Sequence, residues 1–149
     1  MHVKATLSPD DLARACAEAM WKEDDASQRL GMKIVEVRSG QATLTMTVRP
    51  DMVNGLRIAH GAFIYALADS AFAFACNSHG RITVALDVSI TFTKPVQSGE
   101  RISVEANEIH LSNKIGVYDI RATNEKGELV AQFKGTAYRT SREVISMNE

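Results

Sequence analysis

Hydrophobic and polar positions alternate along much of the second half of the chain. Between Ile82 and Phe92 every second residue is apolar, and the residues between them are polar or small. This period-two pattern predicts a long, half-buried strand. Shorter runs with the same period predict strands over residues 34–37, 41–48, 102–111, 116–123 and 129–139. The apolar positions change parity near Asn107, which predicts a β-bulge there.

Two other stretches have helical spacing. The first begins at Ser8–Asp11, where a serine cap, a proline in the first turn and two acids form a strong helix start. This helical segment is expected to end by Leu30, before Gly31. The second stretch follows His60-Gly61 and is apolar on nearly every face up to Asn77.

One charge interrupts the second helical stretch. Asp69 lies in its middle, between Ala68 and Ser70, and no other charged residue occurs from Gly61 to Asn77. A helix that is apolar all round is normally buried. A lone carboxylate in such a helix is costly unless it is paired, protonated or used. Asp69 is therefore the first candidate functional residue, and a structural acid bonded to a nearby Ser, Thr or Asn is the alternative.

The order of predicted elements is a helix, two strands, a long buried helix and four strands in a meander. Short connections favour an antiparallel sheet, and such a sheet would wrap around the central helix. This α+β arrangement is the pattern of the hotdog fold. We expect a single domain over residues 1–149, with a helical segment at 1–30 and a loose polar tail at 140–149. The open sheet leaves edges that dimerisation can cover.

Composition narrows the functional classes. A formal net charge of -1 gives no electrostatic case for binding nucleic acid or an anionic membrane. The two cysteines, Cys16 and Cys76, have neither metal-site spacing nor a disulfide framework. The first eleven residues lack the apolar core of a signal sequence, so a cytoplasmic protein is expected.

The residues around the central helix carry a family resemblance. Asn54-Gly55, His60-Gly61 and then Asp69, eight residues after the glycine, resemble the HGG…D signature of hotdog-fold acyl-CoA thioesterases. The wider pattern, with ACNS after the helix and GVYDI at residues 116–120, is similar to the phenylacetic acid degradation (PaaI) subfamily. Ala62 stands where the second glycine of the signature is usual, a difference that affects local packing more than chemistry.

This resemblance implies an activity and an assembly. The substrate would be an aryl-acyl-CoA such as phenylacetyl-CoA or hydroxyphenylacetyl-CoA, hydrolysed to the free acid and coenzyme A. No cofactor or metal is expected, because coenzyme A is part of the substrate. Homodimers are expected, with two dimers pairing into a homotetramer. The resemblance also gives His60 and Asn54 supporting roles in catalysis, although His60 could simply cap the helix and Asn54-Gly55 could be an ordinary turn.

Thioester hydrolysis itself requires a donor that polarises the carbonyl and a carboxylate that attacks or activates water. The Gly61 amide, at a helix N-terminus, is the candidate donor, and Asp69 is the candidate nucleophile or general base. Eight helical residues span about 12 Å, which is too far for both groups to reach one carbonyl. If two central helices pair antiparallel about a two-fold axis, Gly61 of one subunit faces Asp69 of the other.

Two other functions remain open from the sequence. One is a hotdog enoyl-CoA hydratase or dehydratase, and the other is a non-catalytic acyl-CoA-binding protein. The spacing of glycine and acid argues against the first, and a charged residue kept in a buried helix argues against the second. His79 and His110 have no partner pattern and are expected to be structural.

Overall fold

The computed structural model describes residues 6–146. Every predicted helix and strand is present. In chain order the elements are α1 (Pro9–Glu23), α2 (Asp25–Arg29), β1 (Lys33–Arg38), β2 (Gln41–Thr47), a 3-10 turn (Pro50–Met52), α3 (Gly61–Cys76), β3 (Arg81–Phe92), β4 (Arg101–Leu111), β5 (Ile115–Thr123) and β6 (Leu129–Glu143). Those parts of the predicted helical segment and polar tail that fall on residues 1–5 and 147–149 lie outside the described residues.

The six strands form one antiparallel sheet in the order β1-β2-β4-β5-β6-β3. Strands β4, β5 and β6 are consecutive neighbours, as predicted. Strand β3 instead pairs with β6 at the edge of the sheet, so the prediction of a four-strand meander is wrong. The alternating pattern identifies the buried face of a strand but not its neighbour. The register shift between Glu108 and His110 confirms the predicted bulge near Asn107.

Strand β6 is longer than its apolar pattern. Arg81 pairs with Glu143 and Thr83 with Arg139, so the ladder with β3 extends beyond Arg139. The prediction of a loose tail is therefore wrong for residues 140–143. Backbone hydrogen bonds to β3 hold this polar segment, and they need no apolar side chains.

Helix α3 is the centre of the molecule. It contacts β2 and β4 most extensively and also touches β3, β5 and β6. Phe72 lies directly on the sheet, since a Cβ added to Gly135 would stand 2.7 Å from its ring. The residues of α3 that are buried are Ile64, Leu67, Ala68, Ala71, Phe72, Phe74, Ala75 and Cys76. A six-stranded sheet around a central helix confirms the predicted α+β hotdog fold.

Helix α3 is not buried on every side. The open stripe of α3, as we call it, runs along one face at helical spacing and stays partly or fully exposed. It consists of Ala62, Tyr65, Ala66, Asp69 and Ala73. Helix α1 covers a different part of the core, in which Ala13 and Ala17 are buried. Within residues 6–146, no helix has the length and apolar character needed to cross a membrane.

Candidate active site

The N-terminus of α3 presents a free backbone donor. His60 is the N-cap, and its Nδ1 accepts a hydrogen bond of 3.1 Å from the Ala62 N–H. The Phe63 N–H donates to the His60 carbonyl oxygen at 3.0 Å. The Gly61 N–H comes directly before these two satisfied donors and has no acceptor within residues 6–146. It is therefore available to a ligand at the positive end of the helix dipole.

The imidazole of His60 has a defined structural task. Because Nδ1 accepts the bond from Ala62, it carries no proton, and Nε2 holds the ring proton instead. The ring also meets Phe63 edge-on, with centroids 6.1 Å apart. His60 thus caps the helix, which was the structural alternative to a role in catalysis. Its supporting role in catalysis stays a prediction.

An aromatic ring approaches the backbone closely at position 61. A Cβ at this position would lie 2.9 Å from Cζ of Phe92, closer than real Cβ contacts allow. Phe92 is 52% exposed, so its ring is held on one side only. Gly61 and Phe92 together form part of the wall of a cavity.

This cavity has a volume of about 440 Å³ and mostly apolar walls, formed by Ile58, Ile64, Phe92, Pro95, Val96 and Val130. Gly61, Asn54 and Lys94 also line it. The Lys94 ammonium forms a 2.9 Å ion pair with Glu128, and this hydrogen bond raises the pKa of Lys94. The cavity therefore offers an apolar surface with one backbone donor, one amide and one cation.

Asn54 reaches the cavity through a tight loop. Its Oδ1 accepts hydrogen bonds from the N–H groups of Leu56 at 2.9 Å and Ile58 at 3.4 Å, which closes the loop. Arg57, at the tip, adopts a positive φ of 63°. Asn54 is thus a turn residue, and the structure also brings it to the same cavity as Gly61.

Asp69 lies apart from this cavity, on the open stripe about 12 Å along α3 from Gly61. Its carboxylate accepts no hydrogen bond from any residue between 6 and 146. The Ser, Thr or Asn donor that a structural acid would need is therefore absent from this part of the chain. The neighbouring Ser70 is the residue that is engaged, through a 2.8 Å contact with the Ser27 hydroxyl. Burial raises the pKa of Asp69. One chain therefore holds both groups that the sequence predicts for thioester hydrolysis, but it does not bring them together.

One polar cluster was not found from the sequence. Nε2 of His79 lies 2.6 Å from Oε2 of Glu108, and the Tyr118 hydroxyl donates to the same oxygen at 2.7 Å. Burial, followed by the hydrogen bond to Glu108, raises the pKa of Tyr118. His79 follows the C-terminal end of α3, whereas Gly61 is at the N-terminal end, and none of the three residues lines the cavity beside Gly61. The parity change near Asn107 was the only signal that pointed to Glu108.

Similarity to known proteins extends over most of the chain. The model of the thioesterase superfamily matches residues 56–131. Acyl-coenzyme A thioesterase PaaI of Escherichia coli is 39% identical over 123 residues, which cover 83% of this chain and 88% of that protein. The solved structure of E. coli PaaI, from the phenylacetic acid degradation operon, superposes with a TM-score of 0.90 at 37% identity, over 91% of this chain and 99% of that one.

Two further solved structures are informative. The phenylacetic acid degradation protein PaaI of Thermus thermophilus, in a mutant form, is 38% identical with a TM-score of 0.74, over 76% of this chain and 97% of that one. A Streptococcus mutans protein bound to acetyl-CoA is 25% identical with a TM-score of 0.73, over 75% of this chain and 90% of that one.

Proposed function

Because the chain belongs to the thioesterase superfamily and is an acyl-CoA thioesterase of the PaaI type, we propose that it hydrolyses aryl-acyl-CoA esters such as phenylacetyl-CoA or hydroxyphenylacetyl-CoA. The products are the free acid and coenzyme A, formed in the cytoplasm during phenylacetate degradation. The phenylacetic acid degradation proteins among its relatives and the apolar cavity beside Gly61 support this substrate class.

The observation that carries the mechanism is a pair of unsatisfied groups on α3. The Gly61 N–H, without an acceptor in the described chain, donates to the thioester carbonyl and stabilises the developing oxyanion. Asp69 either attacks the carbonyl carbon or takes a proton from the attacking water. If Asp69 attacks, the C–S bond breaks, coenzyme A leaves as a thiolate that takes up a proton, and water then hydrolyses the acyl–Asp69 anhydride to the free acid and Asp69. If Asp69 is a general base, the oxygen of the activated water adds to the acyl carbon, the C–S bond breaks, and the proton taken by Asp69 passes to the leaving thiolate. Asn54 and His60 hold the Gly61 amide in place.

The two groups meet across a dimer interface. The outer edge of β3 has no neighbouring strand within residues 6–146, and Val84 and Leu86 on this strand are 51% and 62% exposed. Such an edge pairs readily with another chain. The open stripe lies close to this edge, because Tyr65 packs on Phe133, which is the ladder partner of Ile90 in β3. Pairing of two chains about a two-fold axis at β3 would therefore set Gly61 of one subunit against Asp69 of the other.

Two features of the assembly complete the proposal. Two dimers pair into a homotetramer, as the resemblance of the sequence implies. Residues 1–149 act as one thioesterase domain, since Ala13 and Ala17 of α1 are buried in the same core as α3.

A direct assay tests the activity. The protein is incubated with phenylacetyl-CoA and, separately, with crotonyl-CoA, while free thiol and the enoyl absorbance are followed. We expect thiol release from phenylacetyl-CoA and no loss of the enoyl group. Asp69→Asn should lower kcat about 10²- to 10⁴-fold while the affinity for the thioester is kept.

Ser70→Ala is the matched control, because Ser70 is the next residue on α3 and contacts Ser27. It should keep the activity of the parent. An Asp69→Asn variant as active as the parent would contradict the mechanism. Enoyl loss without thiol release would favour the hydratase, and binding without either reaction would favour an acyl-CoA-binding protein.

A further inference from the structure

Tyr65 is the only polar residue besides Asp69 on the open stripe of α3, and the proposed chemistry does not use it. Its ring meets Phe133 edge-on, with centroids 5.4 Å apart and planes at 60°. Its hydroxyl makes no hydrogen bond within residues 6–146. A phenol that can donate and a carboxylate that can accept therefore lie one helical turn apart, and neither has a partner in this part of the chain.

The charge of Asp69 acts on the Tyr65 hydroxyl of the same chain. Burial raises the pKa of the Tyr65 hydroxyl, and the charge of Asp69 raises it further. The remaining members of the open stripe are alanines: Ala62, Ala66 and Ala73. Their small side chains allow a second helix to approach this face closely.

The proposed symmetry gives Tyr65 a special position. A two-fold axis that sets residue 61 against residue 69 of a second antiparallel helix passes through the position midway between them, which is residue 65. Tyr65 is then about 6 Å along α3 from both Gly61 and Asp69 of its own chain. Both active sites of the dimer are one helical turn away.

The direction of the side chain selects its partner. Side chains on an α-helix lean toward the N-terminus and cover the preceding turn, which for Tyr65 is the turn of Gly61 and Ala62. In the paired helices this turn lies against Asp69 of the partner subunit. Resting on the proposed function, we propose that the Tyr65 hydroxyl donates a hydrogen bond to Asp69 of the partner subunit and is a positioning residue of the shared site.

This hydrogen bond has a consequence for the pH profile. A donor to the ionised carboxylate favours the charged form, so its removal raises the pKa of the carboxyl. The other titratable groups around this part of α3 keep their own surroundings when Tyr65 is changed. The Cys76 thiol has its pKa raised to about 12, chiefly by burial, so it stays neutral through the profile. Glu108 is bound by His79 and Tyr118, and Asp24 by Ser27.

Tyr65→Phe tests the proposal, because it keeps the ring on Phe133 and removes only the hydroxyl. With phenylacetyl-CoA, kcat should fall about 10- to 100-fold, as expected for loss of a hydrogen bond to a charged group. KM should change less than about twofold, and the acid limb of the kcat/KM profile should move to higher pH. Tyr138→Phe is the control, since Tyr138 lies on β6 and is 39% exposed; it should behave as the parent.

The outcomes separate this inference from the proposed function. If Tyr65→Phe has the same kcat and the same acid limb as the parent, the inference is wrong. The proposed function still holds in that case, provided that Asp69→Asn is inactive. A lower kcat with an unchanged acid limb also overturns it, because such a result indicates packing alone. Absence of thiol release by the parent protein would instead remove the proposed function.

Discussion

At the scale of single residues, Asp69 combines a cost in stability with a chemical use. Its carboxylate is partly buried and accepts no hydrogen bond from the described chain, and burial raises its pKa. An unpaired carboxylate in such a place lowers the stability of the fold. Because no group of its own chain holds it, the carboxylate is open to the partner subunit and to a substrate, as the proposed role in catalysis requires.

This cost predicts a pH-dependent stability. The folded pKa of Asp69 lies above its unfolded value, so the folded chain holds the proton more tightly and loses stability as pH rises through that interval. In the Tyr65→Phe background, which lacks the hydrogen bond proposed from the partner subunit, Asp69→Asn removes an unpaired charge and should therefore have a higher Tm at pH 7 than Tyr65→Phe alone. The difference in Tm should disappear at a pH well below the ordinary pKa range of an aspartate, because the Asp69 carboxyl is then protonated in both the folded and the unfolded chain.

The measurement is a pair of thermal unfolding series over pH. Glu18→Gln, which removes one exposed carboxylate on α1, away from the β3 edge, is the control and should change Tm little. A Tm for the double variant that equals or falls below that of Tyr65→Phe at pH 7 would show that the carboxylate has another stabilising partner.

The sequence was sufficient to find some residues of the site and not others. Asp69 stood out because a charge in an apolar helix is conspicuous, and Gly61 because it opens that helix. His79 and Glu108 are 29 positions apart, and only the folded β4 bulge brings them together. In the sequence, Phe92 is an ordinary apolar residue of a strand. Its contact with the Gly61 backbone could not be predicted, because that contact depends on how β3 crosses the start of α3.

At the scale of elements, α3 is held on the sheet by close contact rather than by apolar area alone. Phe72 is 2% exposed and lies between Tyr118 and Phe133, with ring centroids 5.5 Å and 5.8 Å away. A Cβ at Gly135 would stand 2.7 Å from this ring. The absence of a side chain on β6 at this point sets how closely the helix approaches the sheet.

Gly135→Ala should therefore destabilise the fold. Because the Phe72 ring is enclosed, it cannot move aside, and overpacking of this kind costs about 1–3 kcal/mol. Chemical denaturation measures the loss. Gly55→Ala is the matched control, since no atom lies within 4 Å of a Cβ added there, and its stability should stay equal or rise slightly. Equal stability of both variants would mean that α3 can shift on the sheet.

The elements themselves were predicted better than their arrangement. Alternation located β3 to within one residue, but it could not show that β3 pairs with β6 rather than β4, because pairing depends on the long connection across the sheet. The end of β6 was missed for a related reason. Residues 140–143 are polar, and backbone pairing with β3 holds them in the strand.

At the scale of the whole molecule, a single chain carries an incomplete site. The Gly61 donor and the Asp69 carboxylate are on one helix but too far apart for one carbonyl. The free edge of β3 and the open stripe of α3 are neighbouring surfaces that a second copy would cover. Dimerisation is then a condition of activity, not only of stability.

In the proposed mechanism, each active site takes Gly61 from one subunit and Asp69 from the other. Heterodimers of two variant chains test this shared site. Gly61→Pro removes the amide proton that the mechanism uses. Proline is tolerated here because position 61 is the first residue of the helix. His60 also has the extended ψ of 129° that a residue before proline requires. Gly61→Ala, which adds a Cβ but keeps the N–H, is the control for the contact with Phe92. Asp69→Asn supplies the other defect.

Two differently tagged chains are co-expressed, and particles that carry both tags are isolated and confirmed by size-exclusion chromatography with light scattering to be dimers, not tetramers of two homodimers, before kcat is measured. A heterodimer of Gly61→Pro with Asp69→Asn has one complete shared site, so it should recover about half of the parental activity per dimer. A heterodimer of the double variant with the parent chain has none and should be inactive. The opposite result, an inactive first heterodimer and a half-active second one, would contradict the shared site.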